Sequence, residues 1–250
     1  MEILKMDNVS LTYQTVESET KAIENISLSI DDGEFIALVG PSGCGKTTIL
    51  SLVSGLIKPT GGSVTLMGKP VEKPGAETGY MLQRDTLFEW RTIEKNVLLG
   101  PEIQRNLTED VKKEAQELLK KYGLWDFRKS YPGQLSGGMR QRAALIRTLA
   151  LRPKLLLLDE PFSALDFQTR LSVCNDVHNI IKSEKKTALL VTHDISEAVS
   201  LADRIVVLSQ RPCTVKKTFT VDIEGETPLK RRESREFSRW FDLIWKEVSV

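Results

Sequence analysis

The residues with the plainest chemistry are Gly40-Pro41-Ser42-Gly43-Cys44-Gly45-Lys46-Thr47-Thr48, which match the phosphate-binding loop pattern G-x-x-x-x-G-K-[ST]. A glycine-rich turn opening into a helix lets several backbone N–H groups converge on one anion. A Cβ at a position needing positive φ would be costly there. Lys46 brings a point charge to the β- and γ-phosphates, and the Thr47 hydroxyl is placed to ligate Mg²⁺. Ser136-Gly137-Gly138 opens a second helix and forms a second anion-binding N-terminus. Asp159 and Glu160 close a run of four leucines, Leu155–Leu158, as expected where a buried strand ends in a site. Cys44, between glycines and next but one to Lys46, is either a small filler or a thiol of lowered pKa. In the second case alkylation should block the loop and bound nucleotide should protect it.

The elements around these residues are those the chemistry requires. Glu34–Val39 is a short apolar run ahead of the loop, read as a buried strand. Ile49, Leu50, Leu52 and Val53 give the following helix one apolar face. Residues 2–12 and 23–30 alternate as strands, and Ser63–Gly68 is another; together they predict an antiparallel sheet beside the nucleotide core. Thr78–Gln83 reads as a buried strand. From about residue 92 to 150 the chain turns helical: Thr92–Leu99, Thr108–Tyr122 with an acidic first turn, and Ser136–Ala150, read as a helical subdomain inserted at about 84–150. Beyond the leucine run, Phe167–Ser183 and Ile195–Ala202 read as helices, Thr187–Thr192 and Arg204–Leu208 as strands. Strands alternating with helices predict a parallel, doubly wound core. His193 follows the strand that ends at Thr192, whereas His178, mid-helix with no motif around it, reads as a surface residue.

Composition narrows the classes. Thirty-five Lys and Arg against 34 Asp and Glu give a net charge of +1, without the basic excess of a nucleic-acid binder. No apolar run approaches the roughly 20 residues that span a bilayer. The first residues lack the layout of a secretory signal, and three cysteines without metal spacing fit reduced thiols. The expectation is a soluble cytoplasmic protein.

Taken in order and spacing, the phosphate loop, Gln83, Leu135-Ser136-Gly137-Gly138, Asp159-Glu160, Ser163-Ala164-Leu165-Asp166 and His193 resemble the ATP-binding cassette (ABC) ATPases that power membrane transporters. The resemblance covers essentially residues 2–210. It implies an α/β fold of the P-loop NTPase type: a parallel-sheet core with an antiparallel β subdomain and an inserted α-helical subdomain. Residues 1–212 would form the ATPase domain and 213–250 a C-terminal extension. ATP and Mg²⁺ are the implied cofactors. Tyr13 would stack on adenine, although a strand-end tyrosine also packs on a core. Asp159, with Thr47 and Gln83, would hold Mg²⁺. Glu160 would polarise the attacking water, His193 would contact the γ-phosphate, and Gln83 would sense the nucleotide. Ser136, Gly137 and Gly138 would serve the nucleotide of a second copy in a head-to-tail dimer, with Asp166 facing across it.

Within that family, Leu87-Phe88-Glu89-Trp90-Arg91-Thr92-Ile93 resembles importers of the nitrate, sulfonate and taurine group, whose relatives also carry bicarbonate or vitamin precursors. The implied partners are integral membrane permease subunits, touched by Phe88 and Trp90, and indirectly a solute-binding protein outside the cell. The place implied is the cytoplasmic face of the membrane, held peripherally. An exporter ATPase, or a clamp in DNA repair or translation, is the alternative. Phe237, Trp240, Phe241, Ile244, Trp245 and Val248 share one face of a C-terminal helix with a basic start. Such a face docks on its own domain or lies on a membrane surface.

Overall fold

Buried alternation sets the architecture, seen in a computed structural model that describes residues 1–14 and 18–249. Four strands, β1 (Glu2–Gln14), β2 (Glu19–Asp31), β4 (Gly61–Leu66) and β5 (Lys69–Pro70), form an antiparallel sheet in the order β2-β1-β4-β5. Six strands form the second sheet, ordered β10-β9-β3-β8-β7-β6. They are β3 (Phe35–Val39), β6 (Thr78–Met81), β7 (Leu155–Asp159), β8 (Thr187–Thr192), β9 (Arg204–Leu208) and β10 (Val215–Thr220). All pairings in it are parallel except β10 on β9.

The central strands are buried at every position, and apolar nearly throughout, because both faces of this sheet are covered. Leu156 and Leu158 point into one core with Phe35, Val39 and Leu190. Leu155 and Leu157 point into another with Ile36, Leu38 and Leu189. The first core packs under helices α5 (Gly137–Leu149), α6 (Phe167–Ser183), α7 (Ile195–Leu201) and α9 (Arg235–Ser249). The second joins the antiparallel sheet to α1 (Lys46–Val53). At about 2 kcal/mol for each fully buried leucine, β7 alone is a large share of the stability.

Between β6 and β7 the chain folds into α2 (Ile93–Val97), α3 (Leu99–Ile103), α4 (Glu109–Lys121) and α5. Thr108 caps α4 by accepting from the Val111 N–H, and Ser136 caps α5 by accepting from Met139 N–H. The helix expected over Thr92–Leu99 is instead two short ones, meeting at Leu98 just before the Leu99-Gly100-Pro101 segment. A proline at 101 has no N–H to donate back to Val97, which separates them. The strand expected to reach Gln83 stops at Met81.

Residues past 212 open with β10, which adds the antiparallel edge to the larger sheet. After the short α8 (Pro228–Glu233), α9 lies against α7 and β9. Ile244 is completely buried, and Phe237, Trp240, Phe241 and Val248 are partly buried around it. Trp245 faces outward, stacked on Phe241. The helix is therefore docked on its own domain. His178 also departs from expectation: it is 4% exposed on α6, tilted against Phe35. Its helix buries Val173, Cys174, Val177 and Ile181 on the same side, so the turn that carries them carries the imidazole inward.

Candidate active site

Adjacent parallel strands deliver most of the candidate residues at their C-terminal ends, where open α/β sheets place ligands. From β3 comes the phosphate loop. Gly43 (φ +75°) and Gly45 (φ +127°) take backbone conformations that L-side chains rarely adopt. The turn that results leads directly into α1, so backbone donors and helix dipole face the same space. Lys46 is buried, its ammonium donating to the carbonyls of Gly40 (2.8 Å) and Pro41 (2.9 Å). Thr48 Oγ1 accepts from the Tyr13 hydroxyl at 3.4 Å, which holds the half-exposed ring beside the loop.

From β7 come the acids. Asp159 is buried; its Oδ1 accepts from Thr47 Oγ1 at 3.2 Å and its Oδ2 from the Tyr80 hydroxyl at 3.2 Å. Burial raises the Asp159 carboxyl above the usual carboxylate range, against the two hydrogen bonds that lower it. Burial and the same carboxylate push the Tyr80 phenol up, so Tyr80 stays a donor. A buried carboxylate beside a hydroxyl is a hard-oxygen pair suited to Mg²⁺. Glu160 adopts φ +44°, in the left-handed region that costs a non-glycine residue about 1–2 kcal/mol. Its carboxylate is bracketed: His193 Nδ1 lies 3.1 Å from Oε1, and Gln83 Nε2 donates to Oε2 at 3.3 Å. Gln83 also reaches Ser163 Oγ at 3.3 Å. Asp159, Glu160, Gln83, Lys46, Thr47 and Thr48 border one cavity of about 340 Å³ with Ser42, Gly43 and Gly45. Pro41 stays at its edge as a carbonyl partner of Lys46.

Ser136, Gly137, Gly138 and Asp166 are not on that cavity. Ser136 and Asp166 cap α5 and α6, Asp166 accepting from Thr169 N–H at 3.1 Å. Gly138 is needed for packing: a Cβ there would fall 2.8 Å from Val173 Cγ2.

Cys44 is buried next to Cys213 and beside the Lys46 ammonium (Nζ to Sγ 4.0 Å). A hydrogen bond from Cys213, and then the lysine, hold the Cys44 thiol well below the ordinary range, while Cys213 is pushed up. The second thiol has no counterpart in the sequence reading, since Cys213 lies 169 residues away in the chain.

Several supporting residues have no motif to announce them. Arg170 on α6 donates to Leu165 O (3.0 Å) and pairs with Asp194 (3.5 Å) and Glu197 (3.9 Å). Glu197 accepts from Thr192 Oγ1 at 2.7 Å, and burial raises its carboxyl to about 7. The loop ending at Asp166 is thus tied to the segment carrying His193. On α5, Arg140 pairs with Asp85 (2.9 Å), and Arg147 donates to the carbonyls of Asp85 and Thr86 just beyond Gln83. Buried Asn96 holds the next turn through Phe88 N–H, Phe88 O, Arg91 O and Thr92 O, which leaves Phe88 and Trp90 stacked and exposed.

A family model described as ABC transporter matches residues 23–163, more than half of the chain. This chain belongs to the ABC transporter family. An uncharacterized ABC transporter ATP-binding protein of Bacillus subtilis, YtlC, is 49% identical over the whole chain and 96% of its own length. The nitrate import ATP-binding protein NrtD of Synechocystis is 38% identical over 96% of the chain and 93% of its own. The taurine import ATP-binding protein TauB of a Jannaschia species is 38% identical over 89% and 84%. Among solved structures, the ATP-binding cassette MJ0796, a dimer bound to ADP and Pi after hydrolysis, matches with TM-score 0.74 and 30% identity over 88% of this chain and 99% of that one. The ABC cassette described here is accordingly an ATP-binding ATPase of mixed α/β fold.

Proposed function

We propose that this ATPase energises an importer as a peripheral subunit on the cytoplasmic face of the membrane. Its two copies would lie head to tail around two Mg-ATP, driving separate permease subunits fed by an extracellular solute-binding protein. The observation that carries the reading is the divided site. Glu160, bracketed by Gln83 and His193, stands on the phosphate-loop cavity, whereas the Ser136–Gly138 helix start lies off it. A second copy rotated by a twofold brings its Ser136, Gly137, Gly138 and Asp166 to the open side. Residues 1–212 serve as the cassette, with the helical insertion at about 84–150, and 213–250 as the extension that lends β10 to its sheet.

In this reading Gly40–Thr48 cradle the phosphates and Tyr13 stacks on the base. Thr47 and Asp159 hold Mg²⁺, with the Gln83 amide oxygen at its edge; the ion would draw charge from the transferred phosphoryl group. Glu160 accepts a proton from the attacking water, and His193 keeps that carboxylate aimed while reaching the γ-phosphate. Exposed Phe88 and Trp90 serve as the permease anchors. Import is favoured because the nitrate and taurine relatives match nearly end to end. The solute belongs to the nitrate, sulfonate and taurine class or to vitamin precursors.

Glu160→Gln provides the test. The variant should bind ATP with near-normal affinity, hydrolyse it about 10³-fold more slowly, and elute as an ATP-dependent dimer. Tagged in its native cell and solubilised gently with Mg-ATP, it should carry a permease with it. Recovery of ribosomes or DNA-repair proteins instead would overturn the importer reading.

A further inference from the structure

Three strand ends, those of β3, β6 and β7, bring the cavity residues considered so far, β8 brings His193 beside them, and a further strand end reaches the same cavity. β9 stops at Leu208, and residues 209–214 turn back over the phosphate loop. The turn is closed by Ser209 Oγ, which accepts from Thr214 N–H at 2.9 Å. It is pinned to β2 by Cys213 N–H on Ala22 O (2.9 Å) and by Glu24 N–H on Cys213 O (2.9 Å). Its closeness to the phosphate loop is direct: a Cβ on Gly45 would fall 3.3 Å from Cys213 Cβ. At the tip stands Arg211. One Nη2 donates to Gly43 O at 2.9 Å, and the side chain borders the cavity with Lys46, Thr47 and Glu160.

A guanidinium carries five N–H donors in a planar fork, and here one hydrogen bond uses one of them. Among the described residues Arg211 has no acidic partner. The other cation on the cavity, Lys46, spends two of its three donors on the carbonyls of its own loop. An unpaired, fork-shaped cation on the rim of a phosphate cavity matches oxyanions better than a lone ammonium does.

We propose that Arg211 is a nucleotide-binding residue, a ligand to the polyphosphate chain supplied from outside the motifs that define the site. The assignment rests on reading this cavity as the ATP site. The turn that holds Arg211 also holds Cys213 against Gly45, so the added cation is tied to the phosphate loop at two points.

The experiment measures the KM for Mg-ATP, the Kd for ADP and the melting temperature without ligand for wild type and for Arg211→Ala, Arg211→Lys and Arg211→Gln. Lys46→Ala serves as the loss-of-binding control. Arg211→Ala should raise KM and Kd about tenfold, with kcat falling far less than kcat/KM and an unchanged melting temperature without ligand. Arg211→Lys should recover most of the affinity. Arg211→Gln, which keeps a donor and loses the charge, should not. Unchanged KM and Kd in Arg211→Ala overturn the proposal while the ATP site stands. Recovery by glutamine equal to that by lysine, or a drop in melting temperature matching the loss of affinity, overturns it in favour of a brace on Gly43. Wild type that fails to bind ATP overturns the site reading, and the proposal with it.

Discussion

At the residue scale, environment decides what each titratable group can do, and His178 is the cleanest case. Burial, then the Lys182 and Arg231 charges, lower its pKa to about 4 from an unfolded value near 6.5. The unfolded chain therefore takes up a proton first as pH falls. The neutral imidazole's contribution to stability is fully present above about pH 6.5 and is lost on the way down to about 4. Replacing it with leucine, which fits the same apolar face, should remove that loss. His178→Leu is expected to lose about 1–2 kcal/mol less than wild type between pH 7 and pH 5, read as urea midpoints at the two pH values. Parallel decline of both proteins would sink the assignment. The sequence shows the helix and its apolar spacing but not which flank a lone histidine takes, because one turn of α6 has room for either reading.

At the scale of elements, the site is held by side chains that cross between helices. Arg170 links the loop before Asp166 to Asp194 and Glu197, and so fixes the approach of His193 to Glu160. Arg170→Ala should lower kcat about five- to tenfold with KM nearly unchanged, since phosphate binding does not depend on it. Arg170→Lys, which keeps the charge but not the fork, should recover part of that loss. A variant that melts earlier but keeps its kcat would show a purely structural tie.

Such ties explain where the sequence was and was not legible. β3, the phosphate loop, α1, α4 and β7 are local patterns: a run, a cap, a spacing. Each holds without knowing what packs on it, and the expected bounds of α6 and β8 match those observed. The break of α2 from α3 depends on one proline, the edge strand β10 on its pairing with β9, and the approach of Cys213 and Arg211 to the phosphate loop on contacts more than a hundred residues apart. Val215–Thr220 gave no strand signal because an edge strand with one half-covered face carries lysines where a central strand carries leucines. The parallel core with its antiparallel sheet and helical insertion, in contrast, was readable from element order alone.

At the scale of the whole molecule, the helical insertion is a lever fixed at both ends. α5 begins at Ser136–Gly138, runs into the core, and on its way grips the segment after Gln83 through Arg140 and Arg147. Asn96 continues that grip to Phe88 and Trp90. If Gln83 shifts on nucleotide binding, this braced turn would move with it. On the other side of the cassette, α9 is docked through its fully enclosed Ile244.

The exposed indole on that rim has an optical consequence. Trp90 is 75% exposed, while Trp125 and Trp240 are partly covered, and Trp245 is the other open one at 55%. In a Trp245→Phe background, the red edge of the emission spectrum therefore reports chiefly on one ring. Seating a permease helix over Trp90 would remove its water and shift emission to the blue by some nanometres. Titration with a peptide of the cognate permease loop, with and without ATP, turns the colour of the protein's own light into a binding curve. An emission maximum that stays fixed while the peptide demonstrably binds would move the docking surface elsewhere on the molecule.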